Sequence, residues 1–260
     1  MSYTHKGNIA GLGRWIRDEV EFSGPIKKGK RGLAARRVQE WLNLSDFAVA
    51  IDDDFGQVTQ ATVTDFQAAN KLPRTGDVDQ ATWDTLVRPM TDVLLHPAKA
   101  GGNLSQEITS AAQRHLAVHP REVGGQNRGP WVRLYMNGNE GTDWPWCAGF
   151  TTFLLNQASE ISGIAMPIAG SVSCDSLAAQ GTMANIFLPG SNASPNAIAP
   201  GSLFLCRRTS TDWTHVGIVM RAEPGLFHTI EGNTNDEGSR EGYEVCSRRR
   251  GYASKDFIVW

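Results

Sequence analysis

The chain of 260 residues has no apolar run of the roughly 18 residues that a membrane helix requires, so no membrane insertion is expected. Its amino terminus, Met1-Ser-Tyr-Thr-His-Lys6, carries no basic flank ahead of an apolar stretch. The expectation is synthesis in the cytoplasm without a signal peptide. An excess of charge is missing as well. Lys and Arg number 25 against 27 Asp and Glu, a formal net charge of −2, which removes the basic balance of a nucleic-acid binder. Cysteine is scarce: Cys147, Cys174, Cys206 and Cys246 stand too far apart for the CxxC spacing of zinc sites or redox dithiols. In a reducing compartment they read as free thiols. There is no GxSxG elbow and no Gly-rich phosphate loop, so nothing points to a serine hydrolase or a nucleotide enzyme.

Several polar groups that are present read as ordinary surface or packing. His115 and His119 have i, i+4 helical spacing but no third ligand nearby, which fits a solvated helix face better than a metal. Asp52-Asp-Asp54 lacks the further oxygens of a calcium loop and reads as a cap for the next helix. Arg248-Arg-Arg250 and the basic cluster Lys27-Lys-Gly-Lys-Arg31 read as solvated surface. Cys206 closes the apolar run Leu203-Phe-Leu-Cys206 and reads as a small buried hydrophobe; Cys174 and Cys246 carry nothing to mark them. No metal and no organic cofactor are expected.

Length and texture divide the chain into an extension over 1–30, a helical unit over 31–90, a linker over 91–104 and a larger unit over 105–260. The extension holds one short amphipathic piece, Trp15-Ile16-Arg-Asp-Glu-Val20. In the helical unit, Leu33, Val38, Trp41 and Leu42 recur at helical spacing. A second helix over 57–70 places Val58, Ala61, Val63, Phe66 and Ala69 mostly to one side, and a third over 80–87 carries Trp83 and Leu86. Pro89, Pro97 and Gly101-Gly102 give residues 88–103 a linker composition. The last unit begins with an alanine-rich helix after Ser105 and turns to β texture from about 202, with strands expected at 203–206, 216–220, 226–230 and 257–260. That order predicts an α+β fold with an antiparallel sheet.

The helical unit resembles the three-helix peptidoglycan-binding domain found at the ends of wall hydrolases. The residues that carry the likeness are Val38-Gln-Glu-Trp-Leu42, Ile51-Asp-Asp-Asp-Phe-Gly56, Thr62-Val-Thr-Asp-Phe-Gln67 and Gly76-Asp-Val-Asp-Gln-Ala-Thr-Trp83. Asp53 departs from it, standing where the family commonly has Gly.

Chemistry concentrates in the last unit. Thr142-Asp-Trp-Pro-Trp-Cys147 reads as a loop entering a helix, and a thiol in a first helical turn meets the positive end of the helix dipole. Asp212-Trp-Thr-His215 puts a His at the entry of a strand, where its imidazole can take the thiol proton. The neighbouring run Leu226-Phe-His-Thr-Ile-Glu231-Gly-Asn233 ends in two polar groups, and either Glu231 or Asn233 can hold the ring by its other nitrogen. Trp144, Trp146 and Trp213 flank these residues as candidate walls of a substrate groove, with plain packing as the other reading.

Residues 105–260 resemble the CHAP family, the cysteine- and histidine-dependent amidohydrolases and peptidases. The likeness rests on Pro145-Trp-Cys-Ala-Gly-Phe150, Pro200-Gly-Ser-Leu-Phe204, Thr214-His-Val-Gly-Ile-Val219 and Thr229-Ile-Glu-Gly-Asn-Thr234, with a further upstream segment from Glu122 to Tyr135. Thr214 departs from it, since Gly often precedes the His. The resemblance implies a papain-like fold with helices on an antiparallel sheet. It assigns Cys147 as nucleophile, His215 as base, and Glu231 and Asn233 as polar partners. Its implied activity is cleavage of a peptidoglycan amide bond, as an amidase or endopeptidase. The partner is then peptidoglycan, and the chain is a monomer. With no signal peptide, a phage-endolysin-like release through a holin lesion or injection by a secretion apparatus would carry it to the wall. An idle wall-binding or virion protein and an amidase for small conjugates stay open as other readings.

Overall fold

Helical periodicity organises the first third of the chain. In the computed structural model, which describes residues 2–95, 102–235 and 242–260, four helices come first: α1 (Arg14–Val20), α2 (Leu33–Leu44), α3 (Gln57–Ala69) and α4 (Gln80–Leu94). Their buried stripes are Ala35, Val38, Trp41 and Leu42 of α2, Val63 and Phe66 of α3, and Trp83, Leu86, Val87 and Met90 of α4. Leu33 and Val58, expected on those faces, are 53% and 69% exposed, because each sits in a first turn beyond the packed stripe.

Two buried glutamines fix the connecting loops. Gln39 Nε2 donates to Asp52 Oδ1 (2.7 Å), and Gln39 Oε1 accepts from the Asp52 and Asp53 N–H groups. Gln67 Nε2 donates to the Asp77 carbonyl (2.8 Å) and its Oε1 accepts from Gly76 N–H. Asp52 is therefore a loop clasp rather than the expected cap; the N-cap of α3 is Gly56, which makes no side-chain cap bond. Asp53 has φ of 62°, the left-handed region that favours glycine.

The segment expected as a linker begins as the last turns of α4. Pro89 lies inside that helix at a cost of about 3 kcal/mol, yet Met90, Val93 and Leu94 are buried beyond it. Burial of three such side chains, at about 1.5–3 kcal/mol each, outweighs the break. The remainder of the expected linker, 96–101, lies outside the described residues.

Helices α5 (Leu104–Ala117), α6 (Pro130–Tyr135), α7 (Cys147–Ser162) and α8 (Cys174–Met183) precede a six-stranded antiparallel sheet of order β1-β6-β2-β3-β4-β5. Its strands are β1 (Phe187–Leu188), β2 (Leu203–Thr209), β3 (Asp212–Glu223), β4 (Leu226–Thr234), β5 (Glu244–Arg250) and β6 (Lys255–Ile258). The fold is α+β, with helices leading and sheet following. One sheet face, with Leu203, Leu205, Val216, Ile218 and Ile230, joins the helical core; the other gathers Phe204, Val219, Phe227 and Phe257. Helix α7 packs between α5 and strands β3 and β4.

The apolar core runs without interruption from Leu12 through Trp41 and Leu86 to Phe150 and Ile258. Trp41 of α2 meets Trp131 of α6 edge-on at 6.0 Å, and Trp15 Nε1 of α1 donates to the Leu134 carbonyl (3.1 Å). The extension and the three-helix segment thus share one interior with the sheet unit.

Candidate functional site

Helix α7 starts at Cys147, with Trp146 as its N-cap. First-turn N–H groups have no partner within a helix, so the thiol lies where a negative charge is favoured. Gly149 is required there: a Cβ would come within 2.6 Å of the Tyr135 carbonyl. Cys147 is 4% exposed.

His215 lies on β3 just before the pairing with β4 begins at Ile218. Its Nε2 is 2.8 Å from Glu231 Oε2, and the carboxylate fixes Nε2 as the protonated nitrogen. Nδ1 is buried with no hydrogen-bond partner among the described residues, and the Cys147 thiol is one of the two groups that favour a charged ring. Burial works against a charged ring, but the thiol and Glu231 outweigh it and push the His215 pKa up to about 10. Nδ1 is therefore the nitrogen available to the thiol.

Glu231 is completely buried and fully partnered. Its Oε1 accepts from Arg250 Nε (2.9 Å) and the Thr229 hydroxyl; its Oε2 accepts from His215 and Arg250 Nη2. Burial alone would raise its pKa, but Arg250 and His215 hold it down at about 2. Arg250 also lies over the Phe204 ring, 5.9 Å from its centroid. Gly217 makes room for this arrangement, since a Cβ would lie 2.7 Å from Phe204 and 2.8 Å from Glu231 Cγ. Gly232 does the same on the opposite side, against Phe150 and Trp146.

A second thiol completes the cluster. Cys174 is the first residue of α8, and its sulfur is 3.9 Å from that of Cys147. The Cys147 thiol is held well below its ordinary range. The Cys174 S–H contributes most, burial opposes, and His215 and the Val216 N–H add to the lowering. Cys174 is pushed the other way, by Cys147 and by burial. The arrangement can present a thiolate beside an imidazolium, with a carboxylate–arginine pair behind the ring.

Cys147, His215 and Glu231 are brought into one cluster, whereas Asn233, Trp146 and the two histidines of the α5 end take other places. Asn233 has φ of 54° and its Oδ1 is buried without a hydrogen bond among the described residues, so Glu231 alone holds the ring. The register irregularity between Glu231 and Thr234 turns Asn233 out of the alternation. Trp146 is fully buried, stacked on Tyr135 at 5.6 Å, with its N–H donated to Glu122 Oε1; it packs the core and walls no groove. Trp213 keeps partial exposure while its N–H binds Asp256 Oδ2 (2.8 Å). His115 is a core histidine between Tyr135 Oη (2.7 Å) and Gln157 Oε1 (3.0 Å), not a solvated one. His119 lies beyond the end of α5 and pairs with Glu244.

Three contributors went unmarked in the sequence: Cys174, Thr229 and Arg250. Arg250 belongs to β5, whose run Ser247-Arg-Arg-Arg250 hid a strand behind its charge. Alternation along that strand turns Arg250 inward. For Cys174 a signal existed, since Ser173 is a good N-cap and does accept from Ser176 N–H, which places the thiol at a helix start.

The site is that of a thiol–imidazole–carboxylate centre on an α+β scaffold. The family described as "Putative peptidoglycan binding domain" matches residues 31–86, which are α2, α3, the first half of α4 and the loops between them. No curated protein matches the chain.

Proposed function

We propose that the chain is a cysteine-dependent peptidoglycan hydrolase of CHAP type, in which residues 31–86 bring it to the wall and Cys147 cleaves an amide bond. One observation carries the chemistry: a helix-start thiol whose pKa is lowered in part by His215, a ring itself 2.8 Å from a buried, arginine-clamped Glu231. The wall-binding match supplies the substrate class. In this reading His215 Nδ1 takes the Cys147 proton and the thiolate attacks the amide carbonyl. The Cys147 N–H at the start of α7 helps hold the oxyanion. His215 returns the proton to the leaving amine, and water releases the acyl group from the thioester. Glu231 keeps the ring in its tautomer throughout, and the chemistry calls for no metal. The protein acts at the wall, reached by release or injection.

The test uses intact sacculi and mass spectrometry of the released fragments. Wild type is expected to release muropeptide fragments and Cys147→Ala none; equal release by both would overturn the proposal. New peptide amino termini would mark an endopeptidase, and free lactyl-muramic ends an amidase. A second reading is favoured by the 4% exposure of Cys147, which suits a small amide conjugate. Turnover of short γ-glutamyl or acyl amides with intact sacculi would support it instead.

A further inference from the structure

Cys174 lies outside the nucleophile–base–carboxylate chain, yet it is held against the reacting sulfur. The amino termini of α7 and α8 converge so that the first residue of each is a cysteine, with the two sulfurs 3.9 Å apart. The placement is well anchored. Ser173 caps α8, Leu177 and Ala178 bury its inner face, and Asp175 Oδ1 accepts the backbone N–H of Trp213 (2.7 Å), two residues before His215 on β3.

Two thiols this close cannot both ionise, because the second charge would face the first at short range. The neighbours decide which one keeps its proton. Cys147 faces His215 of β3 and the Val216 N–H, both of which favour a negative sulfur. Cys174 faces Asp175 of its own helix, Cys206 of β2 and Cys147 of α7, all of which disfavour one.

We propose that Cys174 is a further catalytic residue, a neutral thiol that donates its S–H to the Cys147 sulfur and holds it as the thiolate. The inference rests on the hydrolase reading only for the step that follows. There the sulfur–carbon bond forms and the carbonyl electron pair moves to oxygen. The Cys147 sulfur loses its charge and the Cys174 hydrogen bond to it weakens. Cys174 itself neither gains nor loses a proton. The hydrogen bond lowers the pH at which the attacking thiolate forms without competing for the substrate.

The experiment is a pH titration of the full-length protein under reductant. It follows the ultraviolet absorbance of the thiolate, taken as the difference from Cys147→Ala, together with the rate of iodoacetamide alkylation at Cys147 located by peptide mass. Cys174→Ala is expected to raise the midpoint by about one pH unit, the scale of one hydrogen bond to a charged group. Alkylation below the wild-type midpoint should then fall about tenfold. Cys174→Ser, which keeps a donor, should recover most of the shift, which a merely structural role would not predict. If Cys174→Ala does not fold, Cys174→Val fills the space without a donor and takes its place. A wild-type midpoint in the donor-free variant overturns the proposal. A protein that shows the shift but leaves sacculi intact would keep this inference and sink the hydrolase reading, so the two failures are distinct.

Discussion

Two arginine–glutamate clusters lie inside this chain, and they differ in what they leave unpaired. Arg133 of α6 reaches Glu19 of α1 (2.8 Å from both Nε and Nη2), Glu40 of α2 (2.7 Å) and Glu140 (2.8 Å). Arg37 closes on Glu19 and Arg36 on Glu40, both at 3.0 Å. Arg128 also approaches Glu140 (3.7 Å), so four arginines meet three glutamates. Burial would lower the Arg133 pKa, but the two buried carboxylates outweigh it and raise it further. Arg250 likewise clamps Glu231, but there the second carboxylate oxygen also serves a histidine whose other nitrogen is left open toward a thiol. The first cluster joins segments far apart in sequence, and the buried atom it leaves without a hydrogen bond among the described residues, Arg37 Nε, is a donor that cannot serve as a base. The second lies across three adjacent strands and ends in a histidine with one nitrogen open. A buried ion pair thus locks a structure when it holds only arginines and carboxylates, and leaves a titratable nitrogen open when a histidine joins it.

The largest effect is expected at the open end of the second cluster. His215→Ala should slow hydrolysis by about 10²–10⁴-fold, measured as fragment release from sacculi, while urea unfolding still shows one cooperative transition. At the closed end, Arg133→Met leaves Glu19 and Glu40 buried with too little positive charge. It is expected to lower the unfolding free energy by about 3–5 kcal/mol, read from urea midpoints, with Cys147 alkylation of the folded protein changed less than about twofold. A large loss of Cys147 reactivity in that variant would show that the clusters are coupled after all.

Arg250→Met ranks below both. It removes charged hydrogen bonds worth about 1.5–3 kcal/mol to a residue behind the base, so turnover should fall about 10–100-fold. The sign of its pH effect is definite. Glu231, held at about 2, contributes stability that is present above the ordinary carboxylate value of about 4.3 and lost as pH falls toward 2. Without Arg250 that loss should begin at higher pH, visible in acid unfolding.

The pH profile of wild-type Cys147 is a finer test. Stability from His215, raised to about 10, is present below about 6.5 and lost as pH rises through 10; the lowered Cys147 acts in the opposite sense. Both shifts move one proton from sulfur to ring, so they cancel between about pH 6.5 and 8.5. Alkylation of Cys147 should therefore be flat across that range, where a free thiol would gain about tenfold per unit below its pKa. The smallest effect belongs to the surface: His119→Ala, which breaks the pair with Glu244, should cost less than about 1 kcal/mol in the same urea assay.

Much of this protein was readable residue by residue. Helical spacing located Val38, Trp41, Phe66 and Trp83 in the core, and the change from helical to β texture near residue 202 foretold the α+β order. The thiol at a helix start, the histidine at a strand entry and the acid on the next strand were legible because each depends on local geometry. The choice of Glu231 over Asn233 was not, because it turns on a register irregularity in β4 and β5. Arg250 and Cys174 were hidden for a related reason: a charged strand and a polar loop look like surface until distant elements cover them. His115 was misread in the same way, since Tyr135 and Gln157 satisfy it from other helices.

Features whose physics acts within a few residues were therefore legible in the sequence: the helix stripes and the thiol at the positive end of a helix. Tertiary structure alone decided which charges are buried, which nitrogen of His215 stays open, and that a second thiol stands beside the first. Those depend on desolvation and on contacts across more than a hundred residues, such as Arg133 with Glu19, or between elements like α7 and α8 whose packing no local pattern encodes.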